Sequence, residues 1–403
     1  MSVLTSQCCI AGGGPAGLMT GYLLARAGVE VIVLEKHEDF LRDFRGDTVH
    51  PSTLQLFGEL GLLDGLLSRP YQKTERLSVS IDGASYKVAE FTRLPVQNNF
   101  IAMMPQWDLL DFVADTAREL PNFRLLMATE ADELIEEDGR VVGLRGHAKD
   151  APLEIRSTLT IAADGRGSRL RDQSGLVVED LGAPIDVFWM RLPRTPDESG
   201  ESLGRVGADG FLVLINRGDY WQCALPFPKG SADTIRAEGL DAFRARIGRL
   251  APSLAPVTDA IKSWDDVKLL TVQVNRLKKW WRTGLLCIGD AAHAMSPVGG
   301  IGINLAVQDA AAAARILAPS LRRGEAPDHV LAAVQKRRNW PTRMTQRAQV
   351  LAQNRVLVPA LTMGVAPKAP FFLKALNAVP PLRGLTARAV GIGLRPEHWH
   401  SDP

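Results

Sequence analysis

An α/β fold is predicted, with a parallel sheet interrupted by a second, antiparallel layer and closed by a helical C-terminal segment. Three observations predict it. A glycine-rich turn joins an apolar strand to a helix near the N-terminus. Two later apolar strands end on an aspartate beside a glycine. Strand-like alternation is confined to the stretches between them. A chain of 403 residues also exceeds one ordinary core, so two interleaved domains are expected.

The N-terminal unit comes first. Residues 7–11 form a short apolar strand that runs into Gly12-Gly13-Gly14-Pro15-Ala16-Gly17. Read as G-x-G-x-x-G, Gly12 permits the tight turn, Gly14 lets a pyrophosphate approach, and Gly17 allows close helix packing. Pro15 suits a first helical turn, where its missing N–H costs nothing. The helix is expected to stop at Gly28, and a second strand over residues 29–34 ends on Glu35. A carboxylate about 20 residues past the glycines is where a ribose hydroxyl needs an acceptor. The unit is a dinucleotide-binding, Rossmann-like βαβ start, and it does not by itself separate FAD from NAD.

Downstream segments make that choice. Residues 159–169 are a strand ending in Asp164-Gly165, and residues 284–304 are a strand delivering Gly289-Asp290. A glycine-rich turn then opens a long alanine-rich helix after Ile303. A glycine fingerprint, a D-G segment and a G-D segment in this order resemble the FAD-dependent aromatic hydroxylases related to p-hydroxybenzoate hydroxylase. The resemblance covers roughly residues 5–345.

The resemblance implies an NAD(P)H-dependent monooxygenase that hydroxylates an aromatic substrate with O₂ through a flavin C4a-hydroperoxide. It implies cofactor contacts at Gly12, Gly14, Ala16 and Gly17, at Glu35 and Lys36, and at Gln106. It extends them to Asp164 and Gly165, to Gly289 and Asp290, and to Pro297, Gly300, Gly302, Ile303 and Asn304. Asp290 resembles the carboxylate that holds a ribityl hydroxyl, and Asp164-Gly165 the segment serving both FAD and the visiting nicotinamide. Arg45 resembles a mobile-flavin arginine, and Gln106 a contact on the phosphate side. Where many relatives have Gln, this chain has Ile301; the turn's value lies in its backbone N–H groups, so the change is minor. A helix start at residues 299–304 suits the negative charge of reduced flavin. No side chain need act as a nucleophile, because the cofactor carries the chemistry.

Other readings compete. A flavin-dependent halogenase would show W-x-W-x-I-P, whereas Trp280-Trp281-Arg282 lacks both the spacing and the proline. A flavin reductase or oxidase, or a flavin-bound sensor, shares the fingerprint. His293 reads as packed within its turn, His50 as a residue near flavin or substrate, and His398 with His400 as a frayed tail; no metal site is expected. The four cysteines fall in apolar runs and read as buried thiols. A net charge of +2 gives no signal for nucleic acid. Without a cationic leader or an uncharged span-length apolar run, a soluble cytoplasmic protein is expected. No motif bears on oligomeric state.

Residues 1–70, 100–175 and 270–340 carry the cofactor motifs, which makes a discontinuous FAD domain. Residues 71–99 and 176–269 are the substrate domain, whose Trp189, Phe211 and Trp221 either line an aromatic substrate face or serve ordinary sheet packing. Residues 240–262 are expected to be helical, broken by Pro252 and Pro256. Residues 341–403 form the C-terminal segment. Between Asp328 and Glu397 there is no Asp or Glu, but there are eleven Lys and Arg. Packing on an acidic body accounts for that bias. The proline-interrupted apolar blocks also permit an entrance, or weak contact with a membrane surface.

Overall fold

The structure is a computed structural model that describes residues 2–41, 48–81, 83–149, 151–194, 203–362 and 368–399. Its centre is a sheet of five parallel strands. Their order is Leu285–Cys287, Ala151–Ala162, Ser2–Ala11, Val31–Leu34 and Phe123–Leu126. Trp281–Arg282 adds an antiparallel edge, and the hairpin Thr129–Glu137 with Arg140–Ala148 pairs onto Ala151–Ala162. The first strand is longer than residues 7–11, because its polar N-terminal half still pairs with residues 153–157. Cys8, Cys9 and Ile10 are fully buried in its apolar half.

The helix Pro15–Arg26 packs on this sheet and against the long helix Gly302–Arg322. By length and composition, the segment from Val298 to Arg322 is apolar enough to cross a membrane. Here its alanines lie buried in the main core, small enough for close approach. All four cysteines are free and buried, as their apolar surroundings predicted.

A second sheet has seven strands. The order is Lys268–Leu270, Ile185–Pro193, Tyr220–Pro228, Gly210–Asn216, Leu203–Gly207, Arg76–Ile81 and Ala84–Glu90. It is larger than a small antiparallel layer, and one of its pairs, Leu203–Gly207 with Arg76–Ile81, is parallel. One face covers a separate core in which Phe188, Phe227 and Phe243 cluster with helix Leu240–Leu250. That helix ends at Leu250, and both Pro252 and Pro256 lie in the 3₁₀ stretch that follows.

The C-terminal segment is a series of short helices, as its prolines require, with one exception. Helix Asp328–Ala352 runs through Pro341, so the expected boundary near residue 340 falls inside a helix. Pro341 is buried there. A π-turn at Gln353–Leu357 follows, then Val358–Thr362, Phe371–Ala378 and Pro380–Gly391. The remote tail is pinned rather than frayed. Glu59 accepts hydrogen bonds from the Trp399 backbone N–H and pairs with His398. His400 lies outside the described residues.

Candidate active site

The glycine turn, the two aspartates and the start of helix Gly302–Arg322 open onto one cavity of about 1370 Å³. A single small ligand usually takes roughly 300–1,000 Å³. This space admits a cofactor and a substrate together.

The backbone shapes one end. Gly12 has φ 105°, and a Cβ there would lie 2.3 Å from the Ala163 carbonyl oxygen, so no side chain fits. A Cβ at Gly17 would lie 1.9 Å from the Gly12 carbonyl oxygen, which is how closely the helix rides on the turn. Around Gly14 there is open space, directed at the N-terminus of helix Pro15–Arg26. Free N–H groups and a helix dipole make such a place fit for a pyrophosphate. Glu35 accepts hydrogen bonds from the Gly13 and His37 N–H groups, both at 3.1 Å, so its carboxylate is fixed at the cavity wall. Lys36, Ala16 and Gln106 line the same end. Gln106 is the first residue of helix Gln106–Arg118.

The aspartate segments lie against this turn: a Cβ on Gly12 would come within 2.9 Å of the Asp164 Cα, and one on Gly289 within 2.7 Å of the Ala16 Cβ. Asp290 pairs with Arg166 at 3.4 Å, linking the G-D and D-G segments. Burial pushes the Asp164 carboxyl up, and hydrogen bonds from Ser168 and Leu170 only partly offset this. Gly165, Pro297, Gly300, Gly302 and Ile303 line the cavity, as does Ile301.

Three expected contacts are not on its wall. Gly17 is buried behind the turn. Gly289 donates its N–H to Asp309 at 3.2 Å. The Asn304 side chain is occupied elsewhere: its oxygen accepts from the His50 N–H at 3.0 Å and from Thr53 at 2.7 Å. Arg45 lies outside the described residues. His293 is buried and pairs with Asp309 at 2.5 Å, with Trp280 against its ring, so it packs within the turn as expected. His50 turns to the C-terminal helix and donates through Nδ1 to the Val390 carbonyl at 2.8 Å. Burial pushes its pKa down to about 4, so it is neutral.

The other half of the cavity is apolar. Strand Gly210–Asn216 alternates strictly: Leu212 and Leu214 are buried, while Phe211, Val213 and Ile215 are more open and line the chamber. Trp189 joins them, but Trp221 is buried in the core on the opposite side of the sheet. The C-terminal segment forms a roof through Val356, Pro359, Phe372 and others, so it lines the chamber as well as covering the body.

Two sets of residues were not singled out in the sequence. Gln346, Gln349 and Gln353, at intervals of three and four, form one buried polar face. Gln346 donates to the Asn275 and Ala294 carbonyls, Gln349 to those of Ser296 and Val298, and Gln353 to the Ser296 hydroxyl. Together they hold the loop that carries Pro297. The second set is a buried charge network. Arg338 bridges Asp309 at 3.0 Å and Glu397 at 3.4 Å, while Arg315 and Arg337 also bind Glu397. Burial alone pushes the Asp309 carboxyl up, but His293 and Arg338 outweigh it and hold it low. For the glutamines a signal was available, in their spacing along one face of helix Asp328–Ala352 and the π-turn after it. For the charge network, whose members come from distant parts of the chain, there was none.

Elsewhere, half-buried Glu130, Asp132 and His147 offer ligand atoms within 4.8 Å of one another. Arg169 already bridges both carboxylates.

Comparison with known proteins agrees with this geometry. A family described as FAD binding domain matches residues 5–348. The chain is 32% identical over 365 residues to a 6-methylpretetramide 4-monooxygenase of Streptomyces rimosus, covering 90% of this chain and 87% of the relative. Its fold matches that of P. aeruginosa PqsL in complex with 2-aminobenzoylacetate, with TM-score 0.77 and 22% identity over 89% of this chain and 98% of that one. It matches the myxobacterial chondrochloren halogenase CndH with TM-score 0.74 and 18% identity, over 97% and 98% of the two chains. The shared fold alone therefore does not separate hydroxylation from halogenation. The family match and the relative do: the chain belongs to the FAD-dependent aromatic monooxygenases of the p-hydroxybenzoate hydroxylase-like family, with FAD as cofactor and NAD(P)H as co-substrate.

Proposed function

We propose that this monooxygenase hydroxylates a bulky, largely apolar aromatic compound of polyketide or quinone type, bound beneath the seven-stranded sheet. The carrying observation is the chamber wall. Phe211, Val213, Ile215, Val187 and Trp189 present apolar surface continuous with the cofactor end of the same cavity. The name of the Streptomyces rimosus relative supports a polycyclic substrate.

Bound FAD supplies the redox and oxygen chemistry. The residues present fit it. Gly14 leaves a pyrophosphate unobstructed, Glu35 is positioned for a ribose hydroxyl, and Asp290 for a ribityl hydroxyl. Gly300, Gly302 and Ile303 provide a helix start for the ring end, where a dipole steadies negative charge. Asp164-Gly165 and Arg166 border the path of a nicotinamide, and Arg45 is assigned a role in moving the flavin toward it. The apolar sheet orients the ring and excludes water, which protects reactive species from side reactions. On this reading, residues 1–70, 100–175 and 270–340 form the cofactor unit, and residues 71–99 and 176–269 form the substrate unit.

Two measurements test it. Acid precipitation should release FAD into the supernatant, and flavin retained in the pellet contradicts non-covalent binding. NAD(P)H oxidation should be stimulated by polycyclic phenols or quinones with formation of an oxygenated product. Stimulation by small polar phenols alone refutes the substrate class.

A second reading rests on helix Phe371–Ala378. Phe371 is 85% exposed and Phe372 46%, beside Lys368 and Lys374. In a cytoplasmic protein this pattern suits weak contact with an anionic lipid surface, which would bring apolar substrate to the roof. Co-sedimentation with phosphatidylserine vesicles should be seen at low salt and lost at high salt. No sedimentation at low salt removes this reading.

A further inference from the structure

Resting on the chamber assignment above, we propose that the substrate carries an anionic oxygen group, a carboxylate or an enolate, received at the chamber mouth by Arg355 and Lys368. The charge distribution around the cavity points there. The lining carboxylates Glu35, Glu130, Asp164 and Asp290 all belong to the parallel-sheet side. The lining residues of the seven-stranded sheet include no ionisable side chain. On the substrate side, charge comes from the roof, in Arg355 and Lys368.

Both cations belong to the stretch from His329 to Pro396, which has no Asp or Glu. Neither has an ion-pair partner among the described residues. Arg355 sits in the π-turn Gln353–Leu357, where the helix widens and side chains leave α-helical register. That turn is not loose. Its first residue, Gln353, is fully buried and bonded to Ser296 at 2.9 Å, beside Pro297 of the cofactor loop. Arg355 also lines a neighbouring groove of about 380 Å³, shared with Arg276 and Arg347. Arg276 is neutralised by Glu179 at 2.7 Å, whereas Arg347 has no such partner among the described residues. An anion approaching by this route meets cations first in the groove and then at the chamber wall.

The arrangement solves a problem that the apolar chamber leaves open. Ring burial is non-directional, so it cannot choose which edge of a flat polycycle faces the reacting end. A guanidinium at one rim gives the ring a fixed polarity, with the anion outward and the opposite edge inward. Arg355 and Lys368 are therefore specificity residues for ring orientation.

Binding to the FAD-loaded protein tests this without turnover. The probes are anthraquinone-2-carboxylate and its neutral carboxamide, followed by quenching of protein fluorescence. The acid should bind about 10–100-fold more tightly than the amide at low salt, and the gap should shrink at high salt. Arg355→Met and Lys368→Met should each reduce the acid's affinity toward the amide's, leaving the amide's affinity and the melting temperature unchanged. Equal binding of acid and amide by the unaltered protein overturns the proposal. So does an equal loss for both ligands in the variants, or no binding of either. If both bind with the expected gap and no polycyclic phenol or quinone stimulates NAD(P)H oxidation, the substrate reading fails while the anion site stands.

Discussion

On the parallel-sheet side of the cavity, shape comes from backbone: Gly12 and Gly17 tolerate no Cβ, and fixed carboxylates stand at strand ends. On the seven-stranded side, shape comes from side chains, as Phe211, Val213 and Ile215 alternate with residues of a separate core. The first wall can hold one ligand geometry, because moving backbone disturbs the sheet itself. The second can change ligand by changing one residue, since alternation keeps its two faces independent. The contrast explains how one cofactor chemistry serves different substrates within a family.

If the cofactor wall is rigid for the reasons given, breaking its buried charge network should have the largest effect. Asp309→Ala leaves Arg338 and His293 without their shared carboxylate. Removing one partner of a buried pair costs about 3–5 kcal/mol, readable as a lowered urea midpoint. A loss below about 1 kcal/mol would show that the network is dispensable.

Acid should weaken the same wall by a second route. His50 resists protonation in the fold down to about 4, whereas an unfolded histidine takes its proton near 6.5. Unfolding therefore binds a proton between those values, and stability falls as pH drops through that window, by up to about 1.4 kcal/mol per pH unit. The depressed carboxyl of Asp309 adds loss at lower pH, where its own protonation begins. His50→Asn should flatten the slope between pH 6.5 and 4. An unchanged slope in that variant refutes the assignment.

The comparison sharpens with a pair of cavity variants. Asp290→Ala removes a charged acceptor from the cofactor end and should weaken FAD binding by about 1.5–3 kcal/mol, measured by titrating apoprotein. Trp189→Ala, on the opposite wall, should leave FAD affinity alone and weaken aromatic ligands. If both variants lose FAD equally, the two walls are not independent.

The same contrast governs what could be read from the sequence. Gly12, Gly14, Gly17 and Glu35 were legible because a phosphate-binding turn admits few residue types at fixed spacing, and the chain order of the aspartates extended that reading. The face of Trp221 was not legible: period-two alternation separates two faces but does not say which one meets a cavity. Asn304 shows a different limit. Its position at the helix start was evident, while its side chain's partners, the His50 N–H and Thr53, lie some 250 residues away in sequence. The roof was visible as a charge bias and as proline-interrupted apolar blocks that permit an entrance, but its particular lining residues were not, because its contacts with the chamber are set by tertiary packing.

The buried glutamines tie the C-terminal helix to the loop that carries Pro297, and Gln349 is the most direct test of that connection. Its amide donates to the Ser296 carbonyl at 3.0 Å and to that of Val298 at 2.8 Å, on either side of Pro297. Gln349→Leu keeps the volume and removes both donors, leaving two loop carbonyls without this partner. The expected stability loss is about 1–2 kcal/mol, smaller than that for Asp309→Ala. A purely structural role ends there. A positioning role goes further: with the loop loosened, FAD should bind less tightly, and more NAD(P)H should be consumed per molecule of hydroxylated product. The ratio of product to NAD(P)H distinguishes the two roles, since it is independent of how much protein is folded. An unchanged ratio alongside a lowered melting temperature assigns Gln349 to the scaffold, and a reduced ratio makes the C-terminal helix part of the cofactor site.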